Sequence, residues 1–168
     1  PNVSVVTGCH DRQLFGERDP RRLGRSAASM EWTAEHLNVE QAHYLRELPR
    51  VLEVDGIIVM VHDSLAEQDG YILTPQEMNK NLQMMVADYS MCKVCFFGHS
   101  HLSMLISTKT VRVIGDAELS VALPLDRSER YLINPGSVGQ PRDGCSKASF
   151  AIFDAKDWTI SFMRVGYG

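Results

Sequence analysis

The sequence contains no long hydrophobic run, no excess of basic residues and no regular framework of cysteines. Its longest apolar stretches fall far short of the roughly 20 residues that cross a bilayer, and residues 1–6 lack the basic region of a signal peptide. The net charge of −4 over 168 residues is not that of a nonspecific nucleic-acid-binding protein, which is normally basic. These absences predict a soluble, cytoplasmic protein that binds neither membranes nor nucleic acid stably.

Repeats, low-complexity tracts and linkers are absent as well, so residues 1–168 are expected to form a single domain. A chain of this length can bury a core without disulfides or a structural metal. Cys92 and Cys95 match a Cys-x-x-Cys pattern, but they lead into an apolar run that is typical of a buried strand. Residues three apart on a strand point to opposite faces, so we assign this pair no redox or zinc function.

The first half of the chain alternates between strand and helix patterns. The clearest helix is expected after Thr74, with Pro75 in its first turn and Glu77 closing a capping box. After residue 98 the pattern is mostly strand, which favours an α/β sandwich of two sheets with helices outside. The predicted strands are 3–6, 56–61, 94–97, 111–114, 131–134, 149–154 and 159–165, the last two as a hairpin; the other helices are about 23–37 and one capped by Asn38.

Histidines follow three of the predicted strands. His10 follows the first, His62 the second, and His99 and His101 the third. Ligands gather at the carboxyl ends of strands in open α/β sheets, so these four side chains are expected at one edge. Imidazole is a common ligand for zinc and related metals. His99 and His101 would face the same way if the backbone stays extended there.

Other charged or titratable residues have simpler interpretations. His36 and His43 lie in helical segments and are expected to be solvated. Arg142 follows a Pro-Gly turn and is a better candidate for a phosphate contact than the basic run near Pro20. The alternative for Arg142 is an exposed structural arginine. A basic run near Pro20 is expected to be a solvated face rather than a phosphate site; it contains Arg18, Arg21, Arg22 and Arg25.

Four motifs resemble those of calcineurin-like metallophosphoesterases, in the same order and at suitable separations. They are Gly8-Cys9-His10-Asp11, Val61-His62-Asp63-Ser64, Gly98-His99-Ser100-His101 and the run from Asn134 to Arg142. The resemblance covers nearly the whole chain and is greatest to small bacterial and archaeal phosphodiesterases of the diadenosine tetraphosphatase-like group. It implies a four-layer α/β/β/α sandwich.

The resemblance also implies an activity, which is hydrolysis of a phosphomonoester or phosphodiester by metal-activated water. It implies two divalent metal ions, drawn from manganese, zinc, iron and magnesium. By resemblance, His62 and His99 bind one ion and His101 binds the other. The expected substrate is a small phosphorylated molecule, with a nucleotide as one option. The resemblance does not decide whether the protein forms a homo-oligomer.

The same resemblance assigns roles around the phosphate. His10 would protonate the leaving oxygen, and Asp11 would orient the His10 ring. Arg142 and Asn134 are the expected substrate-binding residues. Residues 66–74 and 102–130 are expected to form the rim of the pocket and to decide specificity.

The chain departs from the family pattern in two ways. Cys9 stands where the family normally has asparagine, so either its thiolate is a soft ligand that favours zinc, or it binds no metal. The family's leading Asp-x-His and Gly-Asp motifs have no counterpart, so the N-terminal strands of the fold are expected to be missing. We favour the interpretation that the sequence is the larger part of a longer enzyme, over strands supplied by a partner chain or a loss of catalysis.

Two functions other than hydrolysis fit parts of the pattern. A phosphoesterase fold with impaired catalysis could serve as a scaffold or interaction module, as Cys9 and the absent aspartates suggest. A mononuclear metal protein could close its site with Cys9, His62, His99 and His101. A scaffold has no need of four histidines at strand ends, so their presence favours the enzyme.

Overall fold

The computed structural model describes residues 3–16 and 27–167. Within these ranges no helix is long and apolar enough to cross a membrane. The helices are α1 (Cys9–Leu14), α2 (Ala27–His36), α3 (Val39–Glu47) and α4 (Pro75–Ala87). The strands are β1 (Val51–Val54), β2 (Ile58–Val61), β3 (Val94–Phe96), β4 (Ser103–Ile106), β5 (Val111–Val113), β6 (Leu123–Pro124), β7 (Tyr131–Pro135), β8 (Ala148–Asp154) and β9 (Thr159–Val165).

The strands form two sheets, as the sequence predicts. The larger has the order β1-β2-β3-β7-β4-β5 and the smaller the order β6-β9-β8. β2, β3 and β7 run parallel at the centre of the larger sheet, and its outer strands are antiparallel to their neighbours. The predicted mixed α/β fold is therefore confirmed. The outer face of β8 exposes Phe150 and Ile152, and a helical layer over this small sheet stays a prediction.

Alternation along the central strands places apolar side chains in two core clusters. Val59 and Cys95 pack on one face of the large sheet with Met85 of α4. On the opposite face, Val94 and Ile133 belong to the cluster shared with the smaller sheet. Because successive side chains of a strand point to opposite faces, the same strands contribute to both clusters. The central strands are therefore buried on both sides, which fixes the positions of their ends.

The helix starts follow the capping residues predicted from the sequence. The hydroxyl of Thr74 accepts a hydrogen bond from the Glu77 amide at 3.3 Å, and the Glu77 carboxylate accepts one from the Thr74 amide at 2.8 Å. Asn38 caps α3 through Gln41 in the same reciprocal way. The helix predicted at 23–37 is observed from Ala27 to His36. Residues 17–26, including Arg18, Arg21, Arg22 and Arg25, lie outside the described ranges.

The strand predicted at residues 3–6 is wrong. This segment is irregular, and Val3 is 77% exposed. Both edges of β2 are paired, to β1 and β3, so residues 3–6 do not enter the centre of the larger sheet. The amide of Thr7 instead donates to the carbonyl of Pro49 at 2.9 Å. The segment therefore leads into α1 rather than ending a strand.

Three strands were missed, namely β1, β4 and β6. β4 lies in the stretch expected to form the pocket rim, yet all four of its residues are buried. It pairs with β7 on one side and β5 on the other, so the chain uses this stretch to extend the sheet. β2, β3 and β5 are as short or shorter and were predicted, so strand length alone does not explain the omission.

Candidate metal centre and its cavity

Three parallel strands end at the same edge of the large sheet. His62 follows β2, His99 follows β3, and Ser137 follows β7. α1 begins at this edge with Cys9. These four segments, together with Ser29 of α2 and the loop that carries Tyr71, line an open cavity of about 890 Å³. Its lining residues are Val6, Gly8, Cys9, His10, Asp11, Ser29, His62, Tyr71, His99, His101, Ser137, Gly139, Gln140 and Arg142.

Three side chains in the cavity wall converge with the geometry of a metal site. The sulfur of Cys9 lies 3.6 Å from Nε2 of His62 and 3.6 Å from Nδ1 of His99. One donor atom from each of the three residues lies within 4.8 Å of the others. Zinc bonds of about 2.3 Å to sulfur and about 2.0–2.1 Å to nitrogen place these atoms roughly 3.5 Å apart in a tetrahedral site. The residues present therefore fit a metal ion, and this is the one such group within the described ranges.

Burial sets the protonation of this group. It lowers the pKa of His62, and, with the neighbouring His62, it lowers the pKa of His99 to about 4. Both rings are therefore neutral at pH 7 and present lone pairs to a cation. Burial also raises the pKa of the Cys9 thiol. A bound cation favours the thiolate and would reverse that effect.

Gly8 lets the start of α1 approach His62. A Cβ on Gly8 would lie 3.4 Å from Nδ1 of His62 and 3.2 Å from a carboxylate oxygen of Asp11. That carboxylate accepts a hydrogen bond from the Gly8 amide at 2.7 Å. The expected orientation of the His10 ring by Asp11 is not seen, because no hydrogen bond joins the two among the described residues. His10 is exposed and lines the cavity.

The turn after β3 differs from the expectation of an extended backbone. His99 and His101 have φ values of 62° and 60°, so both adopt the left-handed conformation. Nδ1 of His101 donates to the carbonyl of Gln140 at 2.6 Å, which leaves the Nε2 lone pair for a ligand. His101 lines the cavity but lies outside the group formed by Cys9, His62 and His99. The described residues thus do not form a closed shell of three histidines and a cysteine.

The two residues expected to bind substrate have different positions. Arg142 is exposed in the cavity wall, and its amide donates to the carbonyl of His101 at 3.3 Å. Asn134 is fully buried and is not part of the wall. Its amide nitrogen donates to Gly98 and Ser100, and its oxygen accepts from Gly136. Asn134 therefore joins the turns after β3 and β7, an arrangement that supports the position of His99.

Asp63 is a buried carboxylate that the sequence analysis quoted in a motif but gave no role. Its side chain has no exposed surface. It accepts hydrogen bonds from Arg12 at 2.9 Å, from Arg50 at 3.4 Å and from the Asp69 amide at 2.7 Å. Because Arg12 belongs to α1, this network fixes the helix that carries Cys9 against the loop that carries His62.

Tyr71 lies in the cavity wall and was not named among the site residues predicted from the sequence. Its ring stacks on His99 with centroids 4.1 Å apart and planes 26° from parallel. Nothing in its local sequence marks it, because it lies in the loop between β2 and α4 with no motif around it. Only the fold brings this loop against the turn after β3.

A family model and a solved structure relate this chain to phosphoesterases. The family model for the calcineurin-like phosphoesterase superfamily domain matches residues 2–158. An uncharacterized protein of Methanocaldococcus jannaschii is 32% identical over 99% of this chain, which spans 66% of that protein. A crystal structure of a metallophosphoesterase from Sphaerobacter thermophilus is 30% identical, with a TM-score of 0.75, over 100% of this chain and 67% of its own. A hypothetical protein from Pyrococcus horikoshii is 25% identical, with a TM-score of 0.67, over 99% of this chain and 64% of its own.

Proposed function

The chain belongs to the calcineurin-like phosphoesterase superfamily, and on that basis we propose that it hydrolyses a small phosphomonoester or phosphodiester with water activated by divalent metal ions. Metal-dependent phosphoester hydrolysis is the general chemistry of this superfamily. The observation that carries the proposal is the convergence of Cys9, His62 and His99 on the wall of a cavity of about 890 Å³. A cavity of this size is in the range that accommodates small ligands, including a nucleotide.

We assign one divalent ion to Cys9, His62 and His99, and a second to Nε2 of His101. When bound, such ions polarise a phosphoryl oxygen and make water a nucleophile near neutral pH. Three protein donors leave a tetrahedral ion one further position, which is the arrangement of catalytic rather than structural sites. Manganese, zinc, iron and magnesium are the candidate ions.

The other wall residues supply binding and proton transfer. His10 is exposed to the cavity, where its imidazolium can donate a proton to the leaving oxygen. Arg142 reaches the same space, and its guanidinium can bind two phosphoryl oxygens at once. The presence of His10 and Arg142 beside the group formed by Cys9, His62 and His99 favours an enzyme over a scaffold that uses the fold alone.

The test is metal-dependent turnover of the purified protein. After chelation and removal of the chelator, p-nitrophenyl phosphate and bis(p-nitrophenyl) phosphate are supplied with each candidate ion in turn. We expect activity to return with metal, and His62→Ala and His99→Ala to lose it by at least about 100-fold. His43→Ala is the control, because His43 is exposed on α3 and does not line the cavity. Undiminished activity in the first two variants would exclude the proposal.

A further inference from the structure

The four cysteines all lie in described ranges and have different surroundings. Cys92 and Cys95 belong to the core cluster beneath α4. Cys145 is partly exposed in the loop between β7 and β8. Cys9 is buried, yet it belongs to neither core cluster. Its sulfur instead lies against two imidazole nitrogens, so apolar packing does not account for its position.

The contact of Cys9 with the two imidazole rings still leaves one ring nitrogen unpaired. The S–H group can donate to one of the two nitrogens at 3.6 Å, and the sulfur can accept a weak hydrogen bond from the other. Nε2 of His99 is buried without a hydrogen-bond partner, and its Nδ1 faces the sulfur. Neither nitrogen of this ring is therefore paired with an oxygen of the described residues. A cation would contact the Cys9 sulfur, Nε2 of His62 and Nδ1 of His99 at once.

The backbone holds these donors in place without a metal. The amide of Gly98 donates to the carbonyl of His62 at 2.9 Å, and a Cβ on Gly98 would lie 3.3 Å from that carbonyl. Gly8 permits a similarly close approach of the start of α1 to the His62 ring. Arg12 and Asp63 join the two segments from the other side. The site is therefore set by contacts outside the donor group, as a preorganised ligand set requires.

We infer that Cys9 binds metal as a thiolate and makes this site select zinc or a similarly soft ion over manganese and magnesium. The inference rests on the proposed function of the same site and adds the identity of the ion. Thiolate and imidazole suit zinc, whereas manganese and magnesium favour oxygen ligands. The thiolate is also the one anionic donor among the three, because imidazole binds a metal through the lone pair of a neutral ring nitrogen. Asparagine at this position would offer a neutral, harder oxygen.

Cobalt(II) reports this ligand directly, because a cobalt–thiolate bond gives a charge-transfer band in the near ultraviolet. The purified protein is stripped of metal, titrated with cobalt and followed by absorption spectroscopy. We expect the band in the wild type, its loss in Cys9→Ser, and its retention in Cys145→Ser. Zinc at one equivalent should abolish the band, and a hundredfold excess of manganese should not.

A second measurement compares affinities and does not depend on cobalt. Competition with a chromophoric chelator gives the zinc and manganese dissociation constants of the wild type and of Cys9→Asn, with folding checked by circular dichroism. We expect the preference for zinc to fall on the order of 10–100-fold in Cys9→Asn, as when a metal-site partner is removed. An unchanged preference would overturn the inference.

Activity measured on the same samples separates the inference from the proposed function. A wild type that hydrolyses bis(p-nitrophenyl) phosphate but gives no charge-transfer band would overturn the thiolate ligand and leave the hydrolase standing. A band that survives Cys9→Ser and disappears in Cys145→Ser would overturn it as well. A band that depends on Cys9, with no turnover of any phosphoester, would support the ligand and reject the hydrolase.

Discussion

At the scale of single residues, the site depends on glycines that allow backbone and side chains to meet. Gly136 lies two residues after the buried Asn134 and directly before Ser137, which lines the cavity. Its φ is 92°, and a Cβ would lie 2.5 Å from the hydroxyl of Ser103 and 2.8 Å from Cβ of Ser149. The Ser103 and Ser149 hydroxyls lie within hydrogen-bonding distance of each other and of the Pro135 carbonyl. Their two hydrogens can fill two of these three contacts, so the hydroxyls have little freedom to move aside.

We therefore expect Gly136→Ala to destabilise the protein by about 3 kcal/mol, from a positive φ and from overpacking. Gly144→Ala is the matched control. Its φ is 83°, and a Cβ there would meet nothing within 4 Å, so we expect a loss of only about 1 kcal/mol. Urea denaturation measures both free energies of unfolding. Equal losses in the two variants would show that the contacts around Gly136 carry no cost.

At the scale of elements, the loop between β7 and β8 carries Arg142 into the cavity wall and is fastened to β9. The guanidinium of Arg164 on β9 donates to the carboxylate of Asp143, and both side chains are largely buried. The same carboxylate accepts a hydrogen bond from the Cys145 amide at 3.2 Å. The hydrogen bond from Arg164 holds the pKa of Asp143 below its ordinary value. Asp143 thus links the smaller sheet to the position of Arg142.

This link predicts a pH dependence of stability. An aspartate whose pKa is lower in the folded state stabilises the protein above its unfolded pKa of about 3.9, and the stabilisation is lost as the pH falls through the folded value. Asp143→Asn should therefore lower the free energy of unfolding by about 1.5 kcal/mol at pH 7, and the difference should shrink toward pH 2–3.

Denaturant titrations at several pH values test this expectation. Asp126→Asn is the control, because Asp126 and Lys109 form an exposed, solvent-screened pair whose loss should change the free energy of unfolding little. A difference between Asp143→Asn and the wild type that persists unchanged at pH 2.5 would contradict the assignment to a charged pair.

Local signals explain which elements the sequence could predict. The Thr74–Glu77 capping box and the apolar stripe of α4 are contained within one helix, so both are readable from the sequence. β4 is four residues long and is buried because β7 and β5 flank it. Residues 3–6 have strand composition but pair with no strand of either sheet. In both cases a pairing strand determines whether the segment becomes a strand, and pairing strands are not local in sequence.

At the scale of the whole molecule, the candidate metal site connects distant parts of the chain. Cys9 is 53 residues from His62 and 90 residues from His99. An unfolded chain does not hold these donors together, so an ion that binds them favours the folded state. Metal binding is therefore expected to add to stability as well as to activity.

At a zinc concentration 100 times its dissociation constant, linkage predicts about 2.7 kcal/mol of added stability. For a chain of this size that corresponds to a rise in Tm of roughly 5–10 °C. Differential scanning calorimetry with zinc and with chelator measures the rise. We expect His62→Ala to lose most of it and His43→Ala to keep it. A rise of the same size in His62→Ala would place the zinc elsewhere.

The family and the mixed α/β fold are readable from the sequence alone, because they follow from motifs, periodicity and capping residues that are local. The same motifs name Cys9 and the four histidines as candidate site residues, but not Asp63 or Tyr71. The sequence could not decide how those side chains combine. The tertiary structure alone groups Cys9 with His62 and His99. It also places His101 outside that group, hydrogen-bonded to the Gln140 carbonyl, and buries Asn134 away from the cavity. The physical reason is that metal geometry depends on distances between strand ends and a helix start, which are fixed by sheet pairing and by buried contacts such as Arg12–Asp63.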